Sequence, residues 1–210
     1  METQTMGKLV IVRHGESEWN IIGKWTGLTD VHLSEKGSKE SKRIGALIKD
    51  IHFDYIFTSN LIRTKETLSA IASVYEELQS IPTEESKEIR ERDYGDYTGK
   101  NKWEMEKILG EEEFLNIRRS WDHPIPNGES LKMVYERTIP FFLDTILPKI
   151  KEGINVLVVA HGNSIRSMVK YIENISDEKI AEVEMPFQDV LVYDLDESGH
   201  VVHKEIRKLD

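Results

Sequence analysis

Two short stretches of this chain share one layout, and that repetition limits what it can fold into more than any other feature. Leu9-Val10-Ile11-Val12 is a run of apolar, mostly β-branched residues that reads as a fully buried strand. It breaks into Arg13-His14-Gly15 and a helix-compatible Glu16-Ser17-Glu18-Trp19-Asn20. Ile154 to Ala160 is a second such run, followed by His161-Gly162-Asn163-Ser164-Ile165-Arg166. In open α/β sheets ligands bind at the carboxyl ends of strands, and the first N–H groups of the next helix attract anions. Two strand-His-Gly-helix units therefore predict two facing histidines at one end of a sheet. Either motif alone reads as a turn; their recurrence at equivalent positions points to chemistry.

Between them, Ile21 to His32 reads as a loop over the first strand's end. Ser34 is placed as N-cap of a helix through about Lys49, with Ile44, Leu47 and Ile48 on one face. Phe53 to Thr58 reads as a strand, and Asn60 as the cap of a helix carrying Leu61, Leu68, Ile71, Ala72, Tyr75 and Leu78. That helix holds Arg63 in its first turn. Ile81 to Gly99 reads as short strand and loop, and Asn101 to Leu109 and Glu111 to Arg119 as two short helices. Helix is expected from Ser130 toward Ile150, restarted or kinked at Pro140, and again up to Glu173 and from Ser176 to Val183. Val190 to Leu195 and His200 to Ile206, joined by Asp196-Glu197-Ser198-Gly199, form a terminal hairpin. With no repeat and no linker, this order predicts one domain over residues 1–210. Its class is α/β: a three-layer α/β/α sandwich around a mostly parallel sheet, with the hairpin as an antiparallel edge.

Composition narrows the chemistry. The chain has no cysteine, which removes disulfides, thiolate metal sites and cysteine nucleophiles. A net charge of −10 speaks against nonspecific nucleic-acid or anionic-membrane binding, yet a local basic pocket in such a chain would recruit small anions. No apolar run approaches the ~20 residues of a membrane span. Met1 to Gly7 lacks an apolar signal core, so a cytoplasmic location is expected. His200 and His203 fall on opposite faces of a strand and make poor joint metal ligands. A metal at His14 and His161 would want carboxylate ligands and would be opposed by nearby arginines, so none is expected. Neither a Gly-x-x-x-x-Gly-Lys loop nor a Gly-x-Gly-x-x-Gly turn is present. Trp19, Trp25, Trp103 and Trp121 are too scattered for a base-stacking platform and read as core or pocket wall.

Phosphoryl transfer to a histidine fits what remains. A neutral imidazole is a competent nucleophile near neutral pH. It needs one fixed tautomer, cations around the phosphoryl oxygens and an acid for the leaving oxygen. Arg13, Arg63 and His161 are expected to form a cationic cradle around His14. Glu91 is the expected acid, with its pKa raised by partial desolvation.

These residues resemble a known family. Arg13 to Asn20, Thr26-Gly27, Asp30, Leu33 to Gly37, Arg63, Glu91 to Gly95 and His161 to Ser164 are similar to the histidine phosphatase superfamily, and within it to the cofactor-dependent phosphoglycerate mutases. The resemblance runs from about Leu9 to Tyr193 and implies a phosphoglycerate mutase-like fold. It also implies a phosphohistidine at His14, with Arg13, Arg63 and His161 around the phosphoryl group and Glu91 as acid and base. Ser17, Asn20, Thr26, Gly27 and Asn163 match positions that line the family's substrate pocket. Tyr94, Lys102, Arg118 and Arg119 match those that hold the substrate's carboxylate end in mutases. The implied activity is interconversion of 3- and 2-phosphoglycerate, primed by 2,3-bisphosphoglycerate and without metal. A broad phosphomonoesterase and a non-catalytic phospho-ligand-binding module are the alternatives. The segment from Trp121 to Ser130 is shorter than in the larger mutases, so a monomer is expected, with a homodimer as the alternative. The chain stops about where its last strand does, without the tail that caps many mutase sites, which leads us to expect some hydrolytic leakage.

Overall fold

The computed structural model describes residues 6–209, so Met1 to Thr5 of the polar N-terminal stretch lie outside the described residues. The predicted strands assemble into one sheet. β1 (Lys8–Arg13), β2 (Tyr55–Thr58), β3 (Thr83–Glu85), β4 (Val156–Ala160), β5 (Asp189–Leu195) and β6 (Val201–Lys208) lie in the order β3-β2-β4-β1-β5-β6. β1, β2, β3 and β4 run parallel, while β5 and β6 form the antiparallel hairpin edge. The helices are α1 (Glu18–Ile21), α2 (Glu35–Ile48), α3 (Ile62–Ala72), α4 (Lys102–Leu109), α5 (Glu111–Arg119), α6 (Leu131–Phe141), α7 (Leu147–Lys151) and α8 (Gly162–Ile172). Among the described residues no helix is long and apolar enough to cross a membrane.

Alternation along the strands builds three layers, because successive side chains point to opposite faces. Leu9, Ile11, Val156, Val158 and Ala160 pack with Phe142, Ile165, Met168 and Ile172 on one face. Val10, Val12, Leu157 and Val159 pack with Ile44, Ile48 and Ile71 on the other. Each of these side chains larger than Ala160 contributes about 1.5–3 kcal/mol on burial. The two central strands can be apolar throughout because helices cover both faces.

Register settles where the two His-Gly units meet. β1 pairs with β4 so that Arg13 lies opposite Ala160. Each histidine is the residue immediately after its strand, and the His14 N–H donates to the Ala160 carbonyl at 2.9 Å. The glycines that follow make room: a Cβ on Gly15 would lie 2.7 Å from the Gly37 carbonyl of α2, and one on Gly162 would touch the Arg13 guanidinium at 3.3 Å. A third cluster of Trp25, Phe114, Ile117 and Ile125 sets α5 beside this sheet end.

Several local expectations are corrected. α3 is preceded by Leu61 rather than by an Asn60 cap. Its first free N–H, on Ile62, is bonded instead by Asp30 Oδ1 at 2.6 Å, a carboxylate delivered by the loop over the strand end. α3 also stops at Ala72, and Leu78 reaches the core from a 3₁₀ turn at Glu76–Ser80. Pro140 sits inside α6, and the helix continues past it into a π-helical segment at Phe142–Ile146 rather than restarting at the proline. Only Lys179–Glu182 of the expected helix from Ser176 to Val183 forms, as a 3₁₀ turn. The chain leaves α8 through Asn174, whose positive φ of 51° breaks helical continuity.

Candidate active site

His14 and His161 stand with ring centroids 4.9 Å apart, and both are buried. Burial, reinforced by Arg63 and Arg13, holds the His14 imidazole well below its ordinary pKa, so the ring is neutral. Its Nδ1–H donates to the Gly15 carbonyl at 2.7 Å, which leaves the Nε2 lone pair free as a nucleophile. The loop beneath is pinned by Thr67 Oγ1, which accepts from the Gly15 N–H at 2.9 Å and donates to the Arg63 carbonyl at 2.7 Å. His161 is also held well below its ordinary value, by burial first and then by Arg63 and His14. This corrects the cradle expected from the sequence: its fixed charge comes from arginines, with His161 as a neutral hydrogen-bonding partner. His161 Nε2 pairs with Ser59 Oγ at 2.7 Å, and its Nδ1 is buried without a partner.

Arg63 is fully buried, and its Nη1 and Nη2 donate to the carbonyls of Thr29 and Gly27 at 3.0 and 2.8 Å. Burial lowers it to about 10, still far above neutrality. Arg13 donates to the Met185 carbonyl, and its guanidinium lies 3.8 Å from the centroid of the Phe187 ring. The Nε atoms of both arginines are buried and unbonded. Two guanidinium groups with unused donors around a neutral imidazole favour a bound oxyanion.

Glu91 departs from the expectation. Burial alone would raise its carboxyl, but the Arg92 N–H, the Asn163 side chain, Arg13 and Arg63 together hold it below the ordinary carboxylate value. The Arg92 N–H at 2.8 Å, the Asn163 N–H at 3.2 Å and Asn163 Nδ2 at 2.8 Å all reach Oε1. Among the described residues none donates to Oε2. Arg137 fixes the surrounding loop by bonding the Glu88, Arg90 and Glu91 carbonyls while pairing bidentately with Glu129.

His14, Glu91 and His161 each place one ligand atom within 4.8 Å of the others, so the carboxylate missing from a two-histidine metal set is present. Arg13 and Arg63 set two positive charges around the same point, which favours an anion there over a cation.

A cavity of about 50 Å³ beside His14 is lined by Arg13, Asn20, Trp25, Thr26, Gly27, Arg63, Glu91, Tyr94 and Lys102. A larger cavity of about 370 Å³ shares Arg13, Trp25, Glu91, Tyr94 and Lys102 with it and adds Arg118, Arg119 and Asn163. The sequence-derived positions thus converge on one cleft, except His161, which is fully buried against His14 and lines neither cavity, and Ser17. That hydroxyl is fully buried as the cap of α1 and donates to Asn20 Oδ1 at 2.7 Å, which fixes Asn20 from behind. Tyr94 receives Asn163 Nδ2 on its hydroxyl at 3.2 Å. Burial would raise its phenol, but Arg92 outweighs that and lowers it. Burial, then neighbouring cations, lowers Lys102 and Arg118. Arg119 pairs with Glu184 at 2.5 Å.

Ser59, Thr67, Arg137 and Arg166 were not singled out in the sequence. Arg166, buried on α8, donates to Asn163 Oδ1 at 3.2 Å and to the Arg119 and Ile180 carbonyls at 2.9 and 2.7 Å. Its place in the His-Gly-Asn-Ser-Ile-Arg run, one turn after Asn163, was the available signal.

Comparison with known proteins agrees with this geometry. The family described as histidine phosphatase superfamily (branch 1) matches residues 9–206. A 2,3-bisphosphoglycerate-dependent phosphoglycerate mutase 2 of Latilactobacillus sakei is 42% identical, with 95% of this chain and 99% of that protein covered. A 2,3-bisphosphoglycerate-dependent phosphoglycerate mutase of Parvibaculum lavamentivorans is 43% identical, covering 94% of this chain and 95% of that protein. Among solved structures, Bacillus stearothermophilus YhfR superposes with a TM-score of 0.80 at 24% identity, over 93% of this chain and 95% of that one. The alpha-ribazole phosphatase from Shigella flexneri superposes with a TM-score of 0.77 at 21% identity, over 96% and 95%. At those identities the structural likeness speaks for the fold.

Proposed function

Because this chain belongs to the histidine phosphatase superfamily, we propose that it interconverts 3-phosphoglycerate and 2-phosphoglycerate through a phosphorylated His14. The observation that carries this reading is a cleft with two cationic ends. Arg63 flanks His14 at one end, Arg118 and Arg119 line the other, and Arg13, Glu91 and Lys102 lie on the wall common to both. A monophosphate ester without a carboxylate would use only the first end. The relatives at 42 and 43% identity are named for the mutase reaction.

The same two ends suit 2,3-bisphosphoglycerate, which supplies the phosphoryl group that first loads the enzyme. His14 Nε2 forms the bond to phosphorus as the ester P–O bond breaks, and Arg13 and Arg63 hold the phosphoryl oxygens. Glu91 gives its proton to the leaving oxygen. It is ionised in the free protein, and an arriving phosphate adds negative charge beside it while engaging the two arginines that lowered it. Both effects raise its pKa and let it carry a proton. In the return step Glu91 takes the proton from the substrate hydroxyl that attacks phosphorus, and the bonding pair returns to Nε2.

Mutase turnover should appear in an enolase-coupled assay, survive a chelator and rise with added 2,3-bisphosphoglycerate. The wild type should take up an acid-labile, base-stable phosphoryl label, and His14→Ala should lose both label and turnover while staying folded. Fast hydrolysis of assorted phosphate esters without mutase turnover would overturn this reading in favour of a broad phosphomonoesterase.

A further inference from the structure

Residues 183–188 form a strap along one wall of the cleft, tied down at several points. Glu184 pairs with Arg119 at 2.5 Å, the Met185 carbonyl accepts from Arg13, and Gln188 Nε2 donates to Glu40 at 2.8 Å. Phe187 is held by the Arg13 guanidinium, 3.8 Å from its ring centroid. The same ring stands 5.7 Å from the His14 imidazole, tilted by 59°. The phosphoryl-transfer scheme gives Phe187 nothing to do, since it carries no proton and no charge. Its position is nonetheless particular: of the strap residues Glu184, Met185, Pro186 and Phe187 that line the cleft, it is the aromatic ring set against both Arg13 and the His14 imidazole.

We propose that Phe187 is a specificity-determining residue, which sets the partition between transfer to a substrate hydroxyl and loss to water by excluding water from the phosphoryl group on His14. The inference rests on the phosphohistidine reading above. In the step it suppresses, a water oxygen forms a bond to phosphorus as the P–Nε2 bond breaks. The bonding pair stays on Nε2, one water proton passes to Glu91, and inorganic phosphate leaves. A substrate hydroxyl is delivered by Lys102, Arg118 and Arg119, which fix the rest of that molecule, whereas water has no such anchor and depends on open volume beside His14. An apolar ring in that volume therefore penalises water selectively.

The test loads the whole protein with label from radiolabelled 2,3-bisphosphoglycerate, removes the free donor, and follows the decay of protein-bound label in buffer. Phe187→Ala should lose label about tenfold faster than wild type, the factor given by ~1.36 kcal/mol off the barrier, while Phe187→Leu, which restores an apolar shield without an aromatic face, decays within about twofold of wild type. The ratio of hydrolysis to mutase turnover should rise in parallel for Phe187→Ala alone. Equal decay of wild type and Phe187→Ala would overturn the proposal. So would equal acceleration in Phe187→Ala and Phe187→Leu, which would assign the effect to stacking on Arg13. A wild type that takes up no label overturns the phosphohistidine reading itself, an outcome distinct from the other two.

Discussion

The ionisation of Glu91 offers the sharpest test of the site, because its cause can be removed one donor at a time. Asn163→Ala deletes the side-chain donor 2.8 Å from Glu91 Oε1 but keeps the backbone N–H of residue 163 and the Arg92 N–H in place. A hydrogen bond to a charged group contributes roughly 1.5–3 kcal/mol, which corresponds to a rise of about one to two pH units in the Glu91 pKa. The sign follows from the step in which Glu91 acts as base. Its ionised form is needed there, so the acidic limb of kcat/KM should move upward by that amount. Asn163→Asp should move it further, since a second carboxylate beside the first disfavours ionisation of both. Stability follows the same sign: a carboxyl held below its unfolded value stabilises the fold above the ordinary carboxylate range and loses that contribution as pH falls through the lowered value. The variant should therefore be less stable than wild type at neutral pH, by a difference that shrinks as acid protonates Glu91. Measuring kcat/KM between pH 4 and 9 decides the matter, and an acidic limb unmoved in both variants would refute the assignment of Glu91 as the working base.

Two further perturbations test the rest of the cleft. Arg118→Ala and Arg119→Ala each remove one charged partner for a carboxylate, roughly 1.5–3 kcal/mol, so kcat/KM for phosphoglycerate should fall about tenfold to hundredfold. The fall for an aryl phosphate without a carboxylate should be much smaller, and equal losses for the two substrates would refute the two-ended cleft. Arg137→Met strands the Glu129 carboxylate, whose partner atoms lie at 2.8 and 3.0 Å and whose side chain is 16% exposed. Breaking a mostly buried pair costs about 3 kcal/mol, which for a chain of this size lowers Tm by about 6–12 °C. Burial would raise the Glu129 carboxyl, but Arg137 outweighs it and holds it low, so the difference between wild type and variant should shrink as acid protonates Glu129. Thermal unfolding at pH 7 and pH 4 checks both statements.

What the sequence could and could not disclose follows the range of each interaction. Val10-Ile11-Val12 and Val156 to Val159 are strands because of residues adjacent in the chain, and the glycines after both histidines answer to close backbone approaches. Those features are local and legible. The ionisation of Glu91 is not, since the donors that lower it include Asn163, 72 residues away, and the tautomer of His161 depends on Ser59 across 102 residues. A loop carboxyl over a desolvated site suggests a raised pKa until its donors are counted. The cap of α3 fails for the same reason, because the carboxylate that replaces Asn60 belongs to Asp30, 32 residues before the Ile62 N–H it accepts from. Phe187 sits in a segment with neither helical nor strand periodicity, so only its contacts with Arg13 and His14 reveal it.

These long-range contacts also explain how a chain of net charge −10 presents a positive cleft. Arg63 is drawn down to about 10 by burial yet remains cationic at neutral pH, because the Gly27 and Thr29 carbonyls solvate it. Burial first, and other cations next, likewise lowers Lys102 and Arg118. Cations crowded this way are destabilised in the free protein, and an anion that reaches both ends of the cleft removes part of that repulsion as it binds. Glu91 is the exception that makes the site usable in both directions. Its charge faces Arg13 and Arg63 while the cleft is free, and in the proposed reaction it gains a proton when a phosphoryl group takes its place beside them. On the proposed mechanism, the local excess of positive charge binds the substrate and, through that binding, sets the protonation state of the group that moves the proton.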